Sequence, residues 1–585
     1  MRQRREAGGG QLVAVVAVLA LAVGLRVIAL RWGLPDETHL FSYHPDEYHS
    51  LRGMLSLAAG DPNPHFFNYG SLYLYLVAAA CVLRHPGYVL ADDLWAAGGP
   101  GLPAALRDWT LDARMVTVAL GTLTVLVMYM LARRIWGHRA GLIAALTLAV
   151  MPLHVVHSHY ATVDVPMTFF ITLTLLLSVR ALEEPSWRNF AWAGAAAGLA
   201  ASVKYSGIVC LVAPATVWVM LLARTRRRKT ATAKANGTAV GGEGTPRHER
   251  MMAWLVPIVL VVAAVVAFAV TSPFTFLDWD NAWRDIRFEM QHMRLGDDPW
   301  ALSAEPCGWL FHLKQLAFGG GWLFLFAGVL GVDPGKIEWK LVPLLVFGVV
   351  LFAVIGNASV RYARYEVALA PVIAVAAAWV GASGHLGRRR RVVPGVIVAV
   401  GIAAALVTSV VYLHGMATAQ PRARALAAIE AYVPPDAMLG IVSHPWFHAP
   451  PVDYCNGGGV LRHNPVWRQY QRPVRELIFI GLGARALRKQ APEAFLLTGF
   501  DVDRRLQGDD PAAKEFIAAL EAEYERVWEI DAGRYVSMFF PTERELVSRA
   551  EPAMRIKVPF CWQPAQDWLY PFPRFELWVR TAERL

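Results

Sequence analysis

Apolar residues along this chain run in blocks of about twenty, the length a helix needs to cross a bilayer at 1.5 Å per residue. Such blocks fall at 11–32, 112–132, 139–157, 165–182, 188–203, 205–223, 251–271, 309–331, 340–356, 366–383 and 392–414, which predicts eleven transmembrane helices. Gly70–Leu83 is apolar over only 14 residues and runs into Arg84-His85-Pro86. That is too short for a span, so residues 69–84 read as an interfacial or re-entrant segment. Beyond residue 414 the pattern changes. Ala423–Tyr432 and Pro511–Tyr524 have helical spacing, whereas Met438–Ser443, Phe495–Thr498 and Tyr535–Phe540 read as short strands. The expected fold is an all-α polytopic membrane domain over 1–414, followed by a small C-terminal extracytoplasmic α/β domain over 415–585.

Composition agrees and charge gives the orientation. Of 585 residues, 55% are hydrophobic and 17% charged, against about a quarter charged in a soluble domain. Mean hydropathy is +0.36, which argues against a cytosolic globular protein. The basic clusters are Arg2, Arg4 and Arg5, then Arg133, Arg134 and Arg139, the loop 224–250, and Arg388–Arg391. Eleven spans put all of them on one side, which the positive-inside rule makes the cytoplasm. The N-terminus is then cytoplasmic and the C-terminal domain outside, in a multi-pass cell-membrane protein. The loop 224–250 carries eight basic and two acidic residues between apolar stretches, so it reads as a cytoplasmic loop, not as a nucleic-acid surface. Its Thr/Ala/Gly-rich part, Thr230–Gly244, is expected to be disordered. The first span follows a basic leader without a small-residue cleavage signal and is expected to stay as an anchor. Five cysteines show no CxxC pair or finger spacing, which leaves structural zinc and iron–sulfur chemistry unsupported. Cys455 and Cys561 could pair.

Candidate chemistry gathers on the side opposite these clusters. The first outer loop, 33–68, carries Tyr43-His44-Pro45-Asp46-Glu47-Tyr48-His49. The turn His157–Pro166 ends in Asp164, which could serve as a helix N-cap, but a carboxylate at membrane depth is a functional candidate by default. Lys204-Tyr205 and Arg361-Tyr362-Ala363-Arg364-Tyr365 place cations beside tyrosines at outer span ends. Interface anchoring explains such pairs in part, yet their sign opposes the positive-inside rule, and a phosphate would account for them. In Leu277–Leu295, Trp279, Trp283, Ile286, Met290 and Met293 repeat at spacings of four and three, which predicts a helix lying in the outer interface or packing on the tail domain.

The order of these parts resembles the C-type, polyprenyl-phosphate-sugar-dependent integral membrane glycosyltransferases, specifically glycosyltransferase family 39, the protein mannosyltransferases. The matching parts are His44-Pro45-Asp46-Glu47, Asn68–Leu72, Ser158–Asp164, Ser202-Val203-Lys204-Tyr205, Ser272-Pro273-Phe274 and Arg361–Tyr365, spread over about residues 10–385. The resemblance implies a C-type glycosyltransferase-like membrane domain and inverting transfer of a sugar from a polyprenyl-phosphate donor to an acceptor hydroxyl on the outer face. It implies Asp46 as the base. It implies an acceptor that is a glycan, lipid or protein. Eukaryotic protein-modifying members carry a β-trefoil insertion, for which this chain offers no long outer loop.

The residues support that chemistry on their own terms. A carboxylate can deprotonate a hydroxyl, and cations can neutralise a departing phosphate. The expected catalytic residues are therefore Asp46, Glu47 and Asp164, with Asp164 orienting Asp46, the acceptor or a metal. The expected substrate-binding residues are His44, His159, Tyr160, Lys204, Arg361, Arg364 and Tyr365. The carboxylates and histidines could instead gather a divalent cation, Mg²⁺ or Mn²⁺. A transporter or flippase for a lipid-linked or anionic substrate is the alternative, although the chain shows no two similar halves. A third reading makes the tail the active part, with His444–His448 and Asn456–Gly459 as a sugar-binding loop.

Overall fold

Each apolar block of the membrane domain is helical over most of its length in the computed structural model. The structure describes all residues except 1, 59, 87–101, 236–246, 297–304, 332–337, 383–387, 464, 508–509, 537–563 and 582–585. Among the described residues, eight helices are long and apolar enough to cross a bilayer: Gly9–Val27, Leu102–Trp136, Asp164–Glu183, Tyr205–Arg227, Trp254–Thr271, Trp339–Gly356, Ala363–Val380 and Val392–Tyr432. The chain is a multi-pass membrane protein.

Three of the eleven expected spans take another form. The block 309–331 is two helices, Gly308–Phe318 and Trp322–Leu330, bent by 99°. Gly319-Gly320-Gly321 sits at the break, and Gly320 has φ of 78°, a conformation that costs other residues a Cβ clash. Counted as one, this pair is a ninth crossing. The block 139–157 is cut at Met151-Pro152 into His138–Val150 and Pro152–His157, because proline clashes with the preceding turn. The block 188–203 forms Trp187–Val203, 17 residues long. This helix crosses Arg247–Thr271 closely: a Cβ on Gly194 or Gly198 would lie 2.3 Å from the Leu260 carbonyl oxygen or 2.1 Å from that of Ala264. Four-residue spacing of small residues is how helices approach where no hydrophobic force drives them together.

The loop 33–68 is folded rather than extended and contains the helix Glu47–Ala58. Segment 69–84 gives the 13-residue helix Leu72–Arg84, which packs on Glu47–Ala58 and on Leu102–Trp136. The cytoplasmic-loop reading needs one correction, since the helix Val212–Ala235 continues into Thr230–Gly244, whose remainder lies outside the described residues.

The C-terminal domain is α/β. Its five strands, β1 (Leu439–Ile441), β2 (Leu477–Phe479), β3 (Ala494–Thr498), β4 (Tyr524–Ile530) and β5 (Phe575–Arg580), form one sheet in the order β2-β1-β3-β5-β4. β1 runs parallel to β2 and β3, while β5 runs antiparallel to β3 and β4. Pro421–Tyr432 and Pro511–Glu523 are the expected helices. Tyr535–Phe540 does not give the expected strand: Gly533–Tyr535 is a single 3₁₀ turn, and residues 537–540 lie outside the described ones. Cys561 also lies outside them, and Cys455 is a free thiol whose Sγ donates to the Trp467 carbonyl at 3.4 Å.

The tail is hydrogen-bonded to the first loop. Leu40 N–H donates to Tyr454 O at 2.8 Å, Phe41 N–H to Asn456 Oδ1 at 3.0 Å, and Trp467 Nε1 to the Tyr48 hydroxyl at 3.2 Å. The loop is also pinned from inside the membrane domain. Arg114 donates to Glu47 through Nε at 2.7 Å and Nη2 at 2.8 Å, with both side chains fully buried. Breaking a buried pair strands a charge and costs about 3–5 kcal/mol, whereas replacing both partners with apolar side chains is often near neutral. Arg114→Leu is therefore expected to lower the thermal unfolding temperature in detergent markedly. Adding Glu47→Met to it should recover most of the loss.

Candidate functional site

Three of the sequence segments pack against one another at the ends of their helices. A Cβ on Gly70 would lie 2.1 Å from the Ser202 carbonyl oxygen, so only glycine lets the Asn68–Leu72 backbone press on that helix end. Ser71 N–H donates to Ser272 Oγ at 2.8 Å, and Ser272 and Ser202 share a hydrogen bond of 2.7 Å between their hydroxyls. The Tyr205 hydroxyl donates to Phe67 O at 2.9 Å. This knot fixes the backbone on either side of Lys204, whose side chain is left to reach the helix start at Asp164.

Lys204 Nζ donates to Asp164 Oδ1 at 2.8 Å. Arg364 Nη1 meets Asp46 Oδ2 at 3.0 Å. The ring of Tyr365 lies between the two pairs, 4.9 Å from Lys204 Nζ and 5.9 Å from Arg364 Cζ. Tyr362 stacks on the Arg364 guanidinium at 3.9 Å. Asp164 is almost wholly buried, whereas the Asp46 side chain keeps 22% of its surface exposed. Two carboxylates and two cations thus share one aromatic wall, and the more accessible carboxylate is Asp46.

The other expected site residues are spread around this cluster in different ways. His44 is buried, its Nδ1 accepting the Asp46 N–H at 3.2 Å and its ring 4.3 Å from that of Tyr160. Glu47 points away from the cluster into its bond with Arg114 and also accepts the Ala161 N–H at 2.8 Å, so it fastens the loop to the Ser158–Asp164 turn. Both ring nitrogens of His159 lie against carbonyl oxygens, Nδ1 2.8 Å from Val155 and Nε2 2.7 Å from Ile28. Arg361 turns outward and donates to the carbonyls of Glu305 and Pro306, the latter at 3.1 Å. Among the described residues, no group of three or more His, Cys, Asp or Glu is placed to hold a metal ion.

Sequence reasoning missed several residues that surround the site. Arg114 and Arg26 sit inside apolar blocks, and a charge there is itself a signal. Arg26 is fully buried and holds the start of the Ser158–Asp164 turn, with Nε donating to Ser158 Oγ at 3.2 Å. Glu289 was legible only as the polar side of an amphipathic helix. In Trp279–Leu295 that side faces the first loop, where Phe67 N–H donates to Asp285 at 3.2 Å and Asn68 Nδ2 to Glu289 at 2.7 Å. Trp279, Trp283 and Met290 face outward, while Met293 packs on Val360 and Tyr362. Burial pushes the Glu289 carboxyl above its usual range, with the Asn68 bond acting in the other direction.

Residues 106–241 match the family described as dolichyl-phosphate-mannose-protein mannosyltransferase, over less than a quarter of the chain. That stretch includes Arg114, Asp164 and Lys204. The match falls on the part of the chain where several of the motifs lie, and it is a similarity of that stretch to the family. No curated protein matches the chain. Among solved structures, the chain is similar to ArnT from Cupriavidus metallidurans bound to undecaprenyl phosphate, at 17% identity over 72% of this chain and 74% of that one, with a TM-score of 0.45. It is similar to the Archaeoglobus fulgidus oligosaccharyltransferase in complex with zinc and sulfate, at 14% identity over 97% and 88%, with a TM-score of 0.45. The S. cerevisiae protein O-mannosyltransferase Pmt1-Pmt2 complex bound to the sugar donor gives 22% identity over 47% of this chain, 34% of that chain and a TM-score of 0.32. These are likenesses of fold, and no residue role rests on them.

Burial holds the His44 imidazole well below its ordinary value, and the Arg364 charge adds to this. The unfolded chain takes up this proton below about pH 6.5 and the folded chain does not, so stability must fall as pH drops through that range. Thermal unfolding in detergent between about pH 7.5 and about pH 5.5 should show a falling midpoint. His44→Gln should make that slope shallower.

Proposed function

We propose that the protein transfers a sugar from a polyprenyl-phosphate donor to an acceptor hydroxyl at the outer membrane face, inverting the anomeric carbon. The carrying observation is the pairing of Asp46 with Arg364 and of Asp164 with Lys204 around Tyr365. A phosphodiester headgroup brings its own negative charge, so it can take Arg364 from Asp46 and leave that carboxylate free as a base. Asp46 then accepts the proton of the acceptor hydroxyl while its oxygen attacks the anomeric carbon. The bond from that carbon to the phosphate oxygen breaks, its electron pair stays on the oxygen, and polyprenyl phosphate departs against Arg364 and Lys204. Electrostatic groups already in place act more strongly at a site partly shielded from water. Asp164 aims Lys204 in this scheme, and Tyr362 and Tyr365 hold both cations by their ring faces.

A positioned base contributes about 10²–10⁴-fold. Purified protein given labelled polyprenyl-phosphate sugar and a membrane glycan extract is expected to form a labelled product. Asp46→Asn should lose at least about a hundredfold in turnover while donor binding persists. Wild-type turnover in that variant would remove Asp46 as the base. Vesicle counterflow of the donor without any covalent product would favour a transporter instead.

A further inference from the structure

The cation opposite Asp46 is held by the far end of the chain. Segment 565–570 of the C-terminal domain enters the membrane domain beside the start of the helical stretch Ala363–Val380. The side chain of Asp567 is almost completely buried. Its Oδ1 accepts the Ala363 N–H at 3.1 Å and its Oδ2 accepts the Arg364 N–H at 2.8 Å. These are amides that a helix start leaves without partners, and an acidic oxygen there also meets the positive end of the helix dipole. Three residues on, the buried Tyr570 hydroxyl accepts from Arg364 Nη1 at 3.3 Å, the same guanidinium nitrogen that faces Asp46. The segment is itself tied down at both ends. Ala565 N–H donates to Gln315 Oε1 at 2.7 Å, and the Tyr412 hydroxyl donates to Trp568 O at 3.0 Å.

From this we infer that Asp567 and Tyr570 of the C-terminal domain are positioning residues for Arg364, so the tail completes the donor-phosphate site. The inference rests on the glycosyltransferase reading above. It gives the tail a part in the reaction that needs no sugar contact of its own: Asp567 fixes the backbone of Arg364, and Tyr570 fixes the direction of its guanidinium. An arginine already aimed loses less side-chain freedom when phosphate arrives, which is where preorganisation improves affinity.

The test is a double-mutant cycle on the full-length protein, read as affinity for polyprenyl phosphate in detergent, with the uncharged polyprenol as control. Tyr570→Phe removes one oxygen and leaves the ring packing intact; it is expected to weaken phosphate binding about three- to tenfold. Asp567→Asn should weaken it about tenfold or more, with Asp567→Glu recovering part of the loss. Acceptor KM should stay constant in Tyr570→Phe. In an Arg364→Ala background, Tyr570→Phe should have no further effect, because the residue acts through Arg364. Equal losses of Tyr570→Phe in both backgrounds, or wild-type phosphate affinity in both tail variants, would overturn the inference while leaving the glycosyltransferase reading intact. Wild-type protein that binds polyprenol as tightly as polyprenyl phosphate would overturn the two together.

Discussion

A charge removed from water must meet an opposite charge, and the region where the first loop folds onto the helix ends is organised around that constraint. Glu47 meets Arg114, Asp164 meets Lys204 and Asp46 meets Arg364. The three pairs differ in how much water reaches them, and their uses differ accordingly. The first is sealed and bonded to three further backbone groups, the carbonyls of Leu30 and Trp32 and the N–H of Ala161, so it serves as a rivet between the first loop, the end of the first span and the second. The last is the most open of the three on its carboxylate side, where Asp46 keeps 22% of its side-chain surface exposed.

That difference explains why adjacent residues take opposite parts. Asp46 and Glu47 are neighbours in the chain, and the helix that begins at Glu47 turns one carboxylate into the protein and leaves the other at its mouth. The serine and glycine segments have a similarly plain role. Gly70, Ser202 and Ser272 carry no reaction chemistry; they bring two helix ends and a loop within backbone contact, which sets where Lys204 begins. The helix Trp279–Leu295 closes the arrangement by turning Asp285 and Glu289 to the first loop and leaving its tryptophans exposed on the protein surface.

The tail is joined to the site at two places that are far apart in sequence. Asn456 and Tyr454 brace the loop that carries Asp46, and Asp567 with Tyr570 brace Arg364. The two halves of one ion pair are therefore each supported by the same small α/β domain. Relative motion between that domain and the membrane helices would alter the separation of Asp46 and Arg364 directly.

The amino-acid sequence by itself determined the membrane class and where most of the long apolar helices lie, because twenty apolar residues in a row have few other places to go. It also supplied Asp46, Asp164, Lys204, Arg364 and Tyr365, since polar residues at span ends stand out against an apolar background. Only the tertiary structure decided that Glu47 and Arg361 face other partners, that block 309–331 is bent at its glycines, and that β2, β4 and β5 exist where no strand was expected. It alone brought Asp567 and Tyr570 to Arg364, more than two hundred residues away. Local pattern reports how a residue meets its immediate surroundings, whereas which charge it pairs with is set by chain segments that meet only after folding.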